Sequence, residues 1–159
     1  MANELEIKKQ KLDDHLIVEL YGNIDEDSNF ETLTKLDVKI ITFDFDGIKM
    51  INSCGVRDWI QFIEKIPADT KIIYKKCPQI VIEQINMVHG FIRKGAKIDS
   101  FYAPYYSEDK DEVIKVLLKS EDVKKAKAPE IKDQETGEVL EFDAIEAQYF
   151  NFLNQAEGQ

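Results

Sequence analysis

The sequence predicts an α/β fold in which helices pack on a mixed β-sheet. Apolar runs with strand-like alternation or β-branched content recur between segments whose apolar residues fall at helical spacing. Strands that alternate with helices are typical of a sheet covered by helices. The 159 residues are 43% hydrophobic, which is enough for an ordered core without a metal or disulfide. We predict a main domain over residues 1–103 and a small α+β extension over residues 104–159.

A β-hairpin is predicted at the start of the chain. Residues 4–8 alternate between polar and apolar side chains, and residues 15–21 form a second such run. Asp13 and Asp14 between them are typical turn residues. The two strands are therefore expected to pair directly.

Strand and helix patterns then alternate along the main domain. The run over residues 38–45 is β-branched and aromatic, as in a central strand covered on both faces. Trp59 flanks the apolar face of the helix that follows, and we predict it in the core. In chain order we predict a short helix with Phe30, Leu33 and Leu36, a strand over 38–45, a helix over 56–66, a strand over 70–74, a helix from Pro78 and a strand over 97–103.

The extension has weaker patterns. Residues 113–118 fit a helix or a strand, and residues 131–140 predict a hairpin. Asp143 and Glu146 have the spacing of a capping box for a final helix. The apolar face of that helix contains Ile145, Tyr149, Phe152 and Leu153. We expect this face to dock on the domain or on a partner, because it is large for a free tail.

The turn over residues 50–59 joins the central strand to the next helix. Asn52 or Ser53 has a short side-chain oxygen that can cap the helix. Gly55 lets the backbone of another chain approach closely. A capped helix start of this kind directs free N–H groups and partial positive charge outward.

This turn resembles the signature of the STAS domain, the family of anti-anti-sigma factors and of the cytoplasmic tails of sulfate transporters. Anti-anti-sigma members carry Asp-Ser-Ser-Gly-Leu-Gly, and residues 52–57 here read Asn-Ser-Cys-Gly-Val-Arg. Residues 22–25, Gly-Asn-Ile-Asp, are similar to a second short phrase of the family. In the family a partner kinase phosphorylates the second serine. Cys54 holds that position here, Ser53 matches the first serine, and Asn52 replaces the aspartate.

The resemblance implies a STAS-like sandwich and a non-catalytic, cytoplasmic regulator of bacterial signal transduction. Such a protein acts by protein–protein contact as an anti-sigma factor antagonist, with an anti-sigma factor or serine kinase as its partner. The implied regulatory residues are Ser53 and Cys54, and the implied partner-binding residues are Asn52, Ser53, Cys54, Gly55 and Arg57.

The family's phospho-switch is expected to be absent, because a thiol is no substrate for a serine kinase. Phosphorylation of Ser53 and redox control through Cys54 remain as rival hypotheses. The resemblance implies no catalytic residue, metal or cofactor. It leaves nucleotide binding and the oligomeric state open.

The extension resembles an appendage of some bacterial STAS proteins, in which two Cys-x-x-Cys pairs build a zinc ribbon before a final helix. Residues 142–150 match the helix phrase. The cysteine pairs are missing, and Ser107/Lys110 and Lys132/Glu135 have the corresponding spacing. The resemblance therefore implies a ribbon that has lost its metal, since a structural zinc site needs thiolate or imidazole ligands.

Charge and cysteine content limit the partners and the compartment. The formal net charge of −10 disfavours binding to nucleic acid and to anionic membrane surfaces. No apolar run is long enough to span a bilayer, and residues 1–10 lack the apolar core of a signal peptide. The two cysteines are expected to remain thiols in the cytoplasm.

An enzyme alternative comes from Asp44 and Asp46, which are followed by Gly47. This stretch resembles the first motif of haloacid-dehalogenase-type phosphatases, in which paired aspartates act beside magnesium. Ile48 stands where that motif has threonine, and no later Asp-Asp motif follows a strand. We interpret the aspartates as polar residues at a strand end, with Asp46 and Gly47 in a turn.

Overall fold

The computed structural model describes residues 4–33 and 37–156. Its strands are β1 (Glu6–Leu12), β2 (His15–Ile24), β3 (Ile40–Ile51), β4 (Lys71–Lys75), β5 (Lys97–Ile98), β6 (Ser100–Ser107), β7 (Glu112–Lys119) and β8 (Glu141–Phe142). Its helices are α1 (Ser53–Glu64), α2 (Gln79–Met87), α3 (Glu146–Tyr149) and α4 (Phe152–Ala156). Short 3-10 turns cover Glu31–Leu33 and Ser120–Asp122. Leu36, part of the predicted first helix, lies outside the described residues.

The larger sheet has five strands in the order β1-β2-β3-β4-β5. β1 pairs antiparallel with β2, and the other neighbours are parallel, so the predicted mixed sheet is confirmed. The predicted hairpin is also confirmed, and Asp13 adopts the left-handed conformation in its turn, with φ of 57°.

Aromatic side chains fill the space between this sheet and α1. Trp59 is fully buried and packs against Phe43, Phe45 and Phe62, with ring centroids 5.0 to 5.5 Å from its own. Its Nε1–H lies 3.0 Å from the Tyr74 hydroxyl, to which it donates a hydrogen bond. The prediction that Trp59 belongs to the core is confirmed, and the α1 helix is fixed to the sheet by this ring.

β3 is longer than predicted and contains no turn at Asp46 and Gly47. The strand runs for 12 residues, and its register against β2 shifts twice. A Cβ atom at Gly47 would lie 2.9 Å from the Leu20 carbonyl oxygen and would also overlap the Tyr21 ring. Gly47 is therefore required for close packing against β2. The turn predicted here is wrong because an Asp-Gly pair, although typical of turns, lies inside a strand in this protein.

A second sheet of three strands has the order β7-β6-β8. The single strand predicted over residues 97–103 is in fact β5 and the first half of β6, which belong to different sheets. Asp99 lies between them and donates its N–H to the Tyr74 carbonyl at 2.8 Å. The predicted boundary between residues 103 and 104 falls inside β6, and residues 113–118 form part of β7.

The final helices dock on the rest of the protein. Tyr149, Phe150 and Phe152 are buried, and all three rings contact Phe101 of β6. Docking on the domain is therefore confirmed for Tyr149 and Phe152. Ile145 is 62% exposed and takes no part in this contact.

The predicted capping box at Asp143 and Glu146 is wrong. Ile145 occupies the N-cap position of α3. The Glu146 carboxylate instead accepts a hydrogen bond of 2.6 Å from the Ala128 N–H. Glu146 therefore binds a residue 18 positions away along the chain instead of capping its own helix.

Polar contacts join the turn after β6 to the hairpin over residues 131–140. Lys110 Nζ lies 2.9 Å from Asp133 Oδ2, and Ser107 Oγ donates to Glu138 Oε1 at 2.8 Å. The hydrogen bond from Lys110 holds the pKa of Asp133 below its ordinary value. Lys132 is exposed, and its neighbour Asp133 is the buried member of the hairpin turn.

Two kinds of feature are absent from the described residues. No group of three or more His, Cys, Asp or Glu side chains within residues 4–33 and 37–156 is placed to hold a metal ion. No helix in the same ranges has the length and apolar character needed to cross a membrane.

Candidate functional site

Asn52 caps the amino end of α1. Its backbone is extended, with φ of −112° and ψ of 176°, and its Oδ1 accepts a hydrogen bond of 2.9 Å from the Gly55 N–H. The Asn52 N–H donates to the Ile24 carbonyl at 3.1 Å, which ties the turn to the end of β2. The predicted cap is confirmed with Asn52 as the capping residue, and Ser53 is the first residue of the helix.

Gly55 is buried where α1 meets the backbone after β2. A Cβ atom at this position would lie 2.6 Å from the Asp25 nitrogen and still closer to the Ile24 carbonyl group. The close approach that glycine permits is thus made by this chain's own backbone, and the expectation of another chain's backbone there is wrong. Gly55 sets the position of the turn and offers no side chain to a partner.

An acidic loop over residues 25–28 lies against the same turn. Asn52 Nδ2 donates to Glu26 Oε2 at 2.6 Å, and this hydrogen bond lowers the pKa of Glu26. Within the loop, Asp25 Oδ1 accepts from the Asp27 N–H at 3.0 Å. Glu26 was not predicted from the sequence, although the phrase over residues 22–25 ends directly before it.

The side chains around the helix start are open to solvent. Ser53, Cys54 and Arg57 are exposed, and Ser53 and Arg57 are four residues apart and so lie on one side of α1. Glu26 and Asp27 of the loop are exposed beside them. We call this set the turn surface: Glu26, Asp27, Asn52, Ser53, Cys54 and Arg57. Four of the five residues predicted as partner-binding belong to it, and Gly55 lies beneath it.

Asp44 and Asp46 lie inside β3, away from its carboxyl end at Ile51. Asp44 alternates with Phe43 and Phe45 of the core, so it faces the side of the sheet opposite α1. Its Oδ1 accepts from the Asp46 N–H at 2.9 Å. The interpretation that these aspartates end the strand is wrong, because β3 continues for another five residues.

Asp46 links the two sheets. Its Oδ1 accepts a hydrogen bond of 2.6 Å from the hydroxyl of Tyr102 in β6. This bond raises the pKa of Tyr102 to about 12. In the phosphatase motif the second aspartate is the general acid or base, and Asp46 could take that role only by giving up its hydrogen bond to Tyr102.

Replacing Asn52 with alanine is expected to lower the free energy of unfolding by about 1 kcal/mol, because the helix loses its cap. The Glu26 carboxylate loses its donor at the same time, so its pKa should rise towards the ordinary value. A depressed carboxyl pKa stabilises the fold above the ordinary pKa, and this contribution is lost as pH falls through the folded pKa. The stability deficit of Asn52→Ala should therefore shrink in acid.

Urea unfolding at several pH values measures the deficit, and NMR titration of the Glu26 carboxyl measures the pKa. Glu26→Gln is the matched control, because it removes the carboxylate and leaves the cap intact. An unchanged Glu26 titration in Asn52→Ala would contradict the contact between the two side chains.

No protein-family model matches this chain, and no curated protein matches it. Among solved structures, one that is similar is the crystal structure of an anti-sigma factor antagonist from Mycobacterium paratuberculosis. The match covers 53% of this chain and 77% of that chain, with 13% sequence identity and a TM-score of 0.47.

Proposed function

We propose that this protein is a non-catalytic regulator of the STAS type, similar to anti-sigma factor antagonists, and that its turn surface docks onto a partner protein. One observation carries the proposal: Ser53, Cys54 and Arg57 are exposed on the first turns of α1, at the positions of the family signature. The partner class, an anti-sigma factor or a serine kinase, comes from the resemblance of that signature.

The contacts beneath the turn surface support this role. Asn52 fixes the helix start to Gly55 and to the acidic loop, and Gly55 packs against the end of β2. A preorganised surface loses little conformational freedom on binding, so more of the contact energy appears as affinity. The exposed residues are therefore presented in one geometry before the partner arrives.

The charges of the turn surface favour specific pairing. Arg57 supplies a cation for an acidic group of the partner, and Glu26 and Asp27 supply anions for basic groups. Exposed charges of both signs contribute more to orientation and association rate than to affinity. We expect the association rate to fall as salt is added.

Cys54 replaces the serine that the family uses as its switch. A phosphate at that position would add about −1.5 to −2 charges to the contact. The thiol takes no phosphate from a serine kinase, so we propose binding without the usual phospho-switch. Phosphate found on Ser53 in protein isolated from its own cells would overturn this part of the proposal.

Partner binding by Cys54→Ala and Cys54→Asp tests the turn surface. The partner is captured from the native cytosol with the wild-type chain, purified and titrated against each variant. We expect alanine to bind within about twofold of wild type, and aspartate to bind at least about tenfold more weakly, because it places an unpaired charge in the contact.

Gln134→Asp is the matched control, since it adds the same charge at an exposed position of the extension. It should bind like wild type. Equal binding by wild type, Cys54→Ala and Cys54→Asp would refute the assignment of this surface.

A further inference from the structure

A groove of about 680 Å³ lies between α2 and the segment that contains α3. One wall is formed by Gln79, Glu83 and Met87, which share a face of α2 at helical spacing. Residues 144–151 supply the other wall. The volume is within the range of clefts that bind ligands in proteins. No residue of the turn surface lines it.

The two most exposed large apolar side chains of the described residues both line this groove. Met87 is 70% exposed on the α2 wall, and Ile145 is 62% exposed on the opposite wall. Ile145 belongs to the apolar face that the sequence predicts to dock, yet Tyr149 and Phe152 make that contact without it. Apolar side chains left open on both walls of one groove favour an apolar occupant.

Asn86 joins the two walls of the groove by a hydrogen bond. Its Nδ2 donates to the Tyr149 carbonyl at 3.0 Å. Its Oδ1 is buried and has no hydrogen-bond partner among the described residues. Because the atom is buried, a molecule bound in the groove does not reach it, and Asn86 contributes to the groove by holding its two walls together.

The charge of the lining indicates the sign of the occupant. Glu83 is a carboxylate, and no lysine or arginine is among the described residues that line the groove. A positively charged group beside Glu83 would be attracted to it, and a negatively charged one would be repelled.

We propose that this groove binds a basic amphipathic helical segment of a partner protein. The apolar face of the segment packs on Met87 and Ile145, and a lysine or arginine faces Glu83. A helix that packs between two others is a common form of peptide recognition. This second surface gives the protein a contact independent of the turn surface.

The probe for this proposal is a 16-residue peptide of leucine and lysine, with its leucines at helical spacing on one face. A peptide of the same composition in scrambled order is the control, because both have the same attraction to a chain of net charge −10. NMR titration of the full chain should show the largest shifts at the Asn86 side-chain amide, Met87 and Ile145. The Kd of the patterned peptide should be at least about tenfold lower than that of the scrambled one.

Exposed variants make the test specific. Ile145→Asp should weaken binding of the patterned peptide at least about tenfold, and Glu83→Gln about threefold. Glu121→Gln removes the same charge from an exposed position outside the groove and should bind within about twofold of wild type. All three side chains are exposed, so their replacement leaves the core intact.

Equal Kd values for the two peptides, equal effects of Glu83→Gln and Glu121→Gln, or shifts centred on residues 25–27 would each overturn the proposal. None of these variants alters α1. The result is therefore independent of the test with Cys54 variants.

Discussion

Gly55→Ala is expected to destabilise the fold by about 2–3 kcal/mol, although alanine is the better helix former by about 1 kcal/mol. Gly55 lies in the first turn of α1, so helix propensity alone predicts a more stable protein. The new Cβ atom would instead overlap the backbone of Ile24 and Asp25. Backbone atoms have no rotamer that relieves such an overlap, so α1 or the end of β2 must move.

Urea denaturation of Gly55→Ala beside Cys54→Ala measures this effect. Cys54 is the preceding residue and is exposed, and its replacement should change the free energy of unfolding by less than about 0.5 kcal/mol. If Gly55→Ala is as stable as wild type, or more stable, the backbone of β2 does not approach the helix as described.

Trp59→Ala should lower the free energy of unfolding by about 3–5 kcal/mol, the cost of removing a large buried side chain. The ring is fully buried and packs edge-on against Phe30, Phe43 and Phe45. Its removal leaves a cavity between α1 and the sheet, which the surrounding rings can fill only in part.

Trp59→Phe separates the packing of the ring from its hydrogen bond. The Tyr74 hydroxyl donates to the Phe91 carbonyl at 2.6 Å, so neither group loses its only partner when the indole N–H is removed. The cost should therefore be about 1–2 kcal/mol, mainly from lost volume. Unfolding followed by circular dichroism compares both variants with wild type. A cost below about 1 kcal/mol for Trp59→Ala would contradict its place in the core.

Elements with strong local signals were predicted well. The alternation of β1 and β2, with two aspartates between them, was enough to predict their hairpin. The cap of α1 at Asn52 was also predictable, because a short polar side chain before an apolar helical pattern is typical of a cap, although the helix begins at Ser53 and was predicted from Val56. Both features have a local signal in the sequence, a two-residue turn in the hairpin and a cap three residues before the N–H that it binds.

Features decided by distant contacts were not predicted. Gly47 is required because β2 passes close to it, and nothing near Gly47 in the sequence reports that approach. The Asp99 N–H pairs with the Tyr74 carbonyl of β4, and the Glu146 carboxylate accepts from the Ala128 N–H instead of capping α3. In each case the winning partner lies at least 18 residues away along the chain.

Residues of the candidate site were likewise predictable where they are neighbours in the sequence, and not where a distant contact brings them together. Asn52, Ser53, Cys54 and Arg57 all lie in the six-residue segment 52–57, whose resemblance to a signature marks them in the sequence. Glu26 joins them only in three dimensions, 26 residues from the Asn52 amide that binds it. A lone glutamate in an acidic stretch has no pattern that marks such a role.

The two cysteines differ in their exposure to solvent, so a thiol reagent can follow two different properties of the protein without any substitution. Cys54 is exposed on the turn surface, whereas Cys77 is fully buried and burial raises its pKa well above the ordinary value. The Cys77 N–H donates to the Ser100 carbonyl, and the Tyr102 N–H donates to the Cys77 carbonyl, so the thiol lies at the junction of the two sheets. An alkylating reagent therefore attaches a dye to Cys54 in the folded state, and it reaches Cys77 only when that junction opens. The first reaction labels the proposed docking surface, and the rate of the second measures how often the sheets separate.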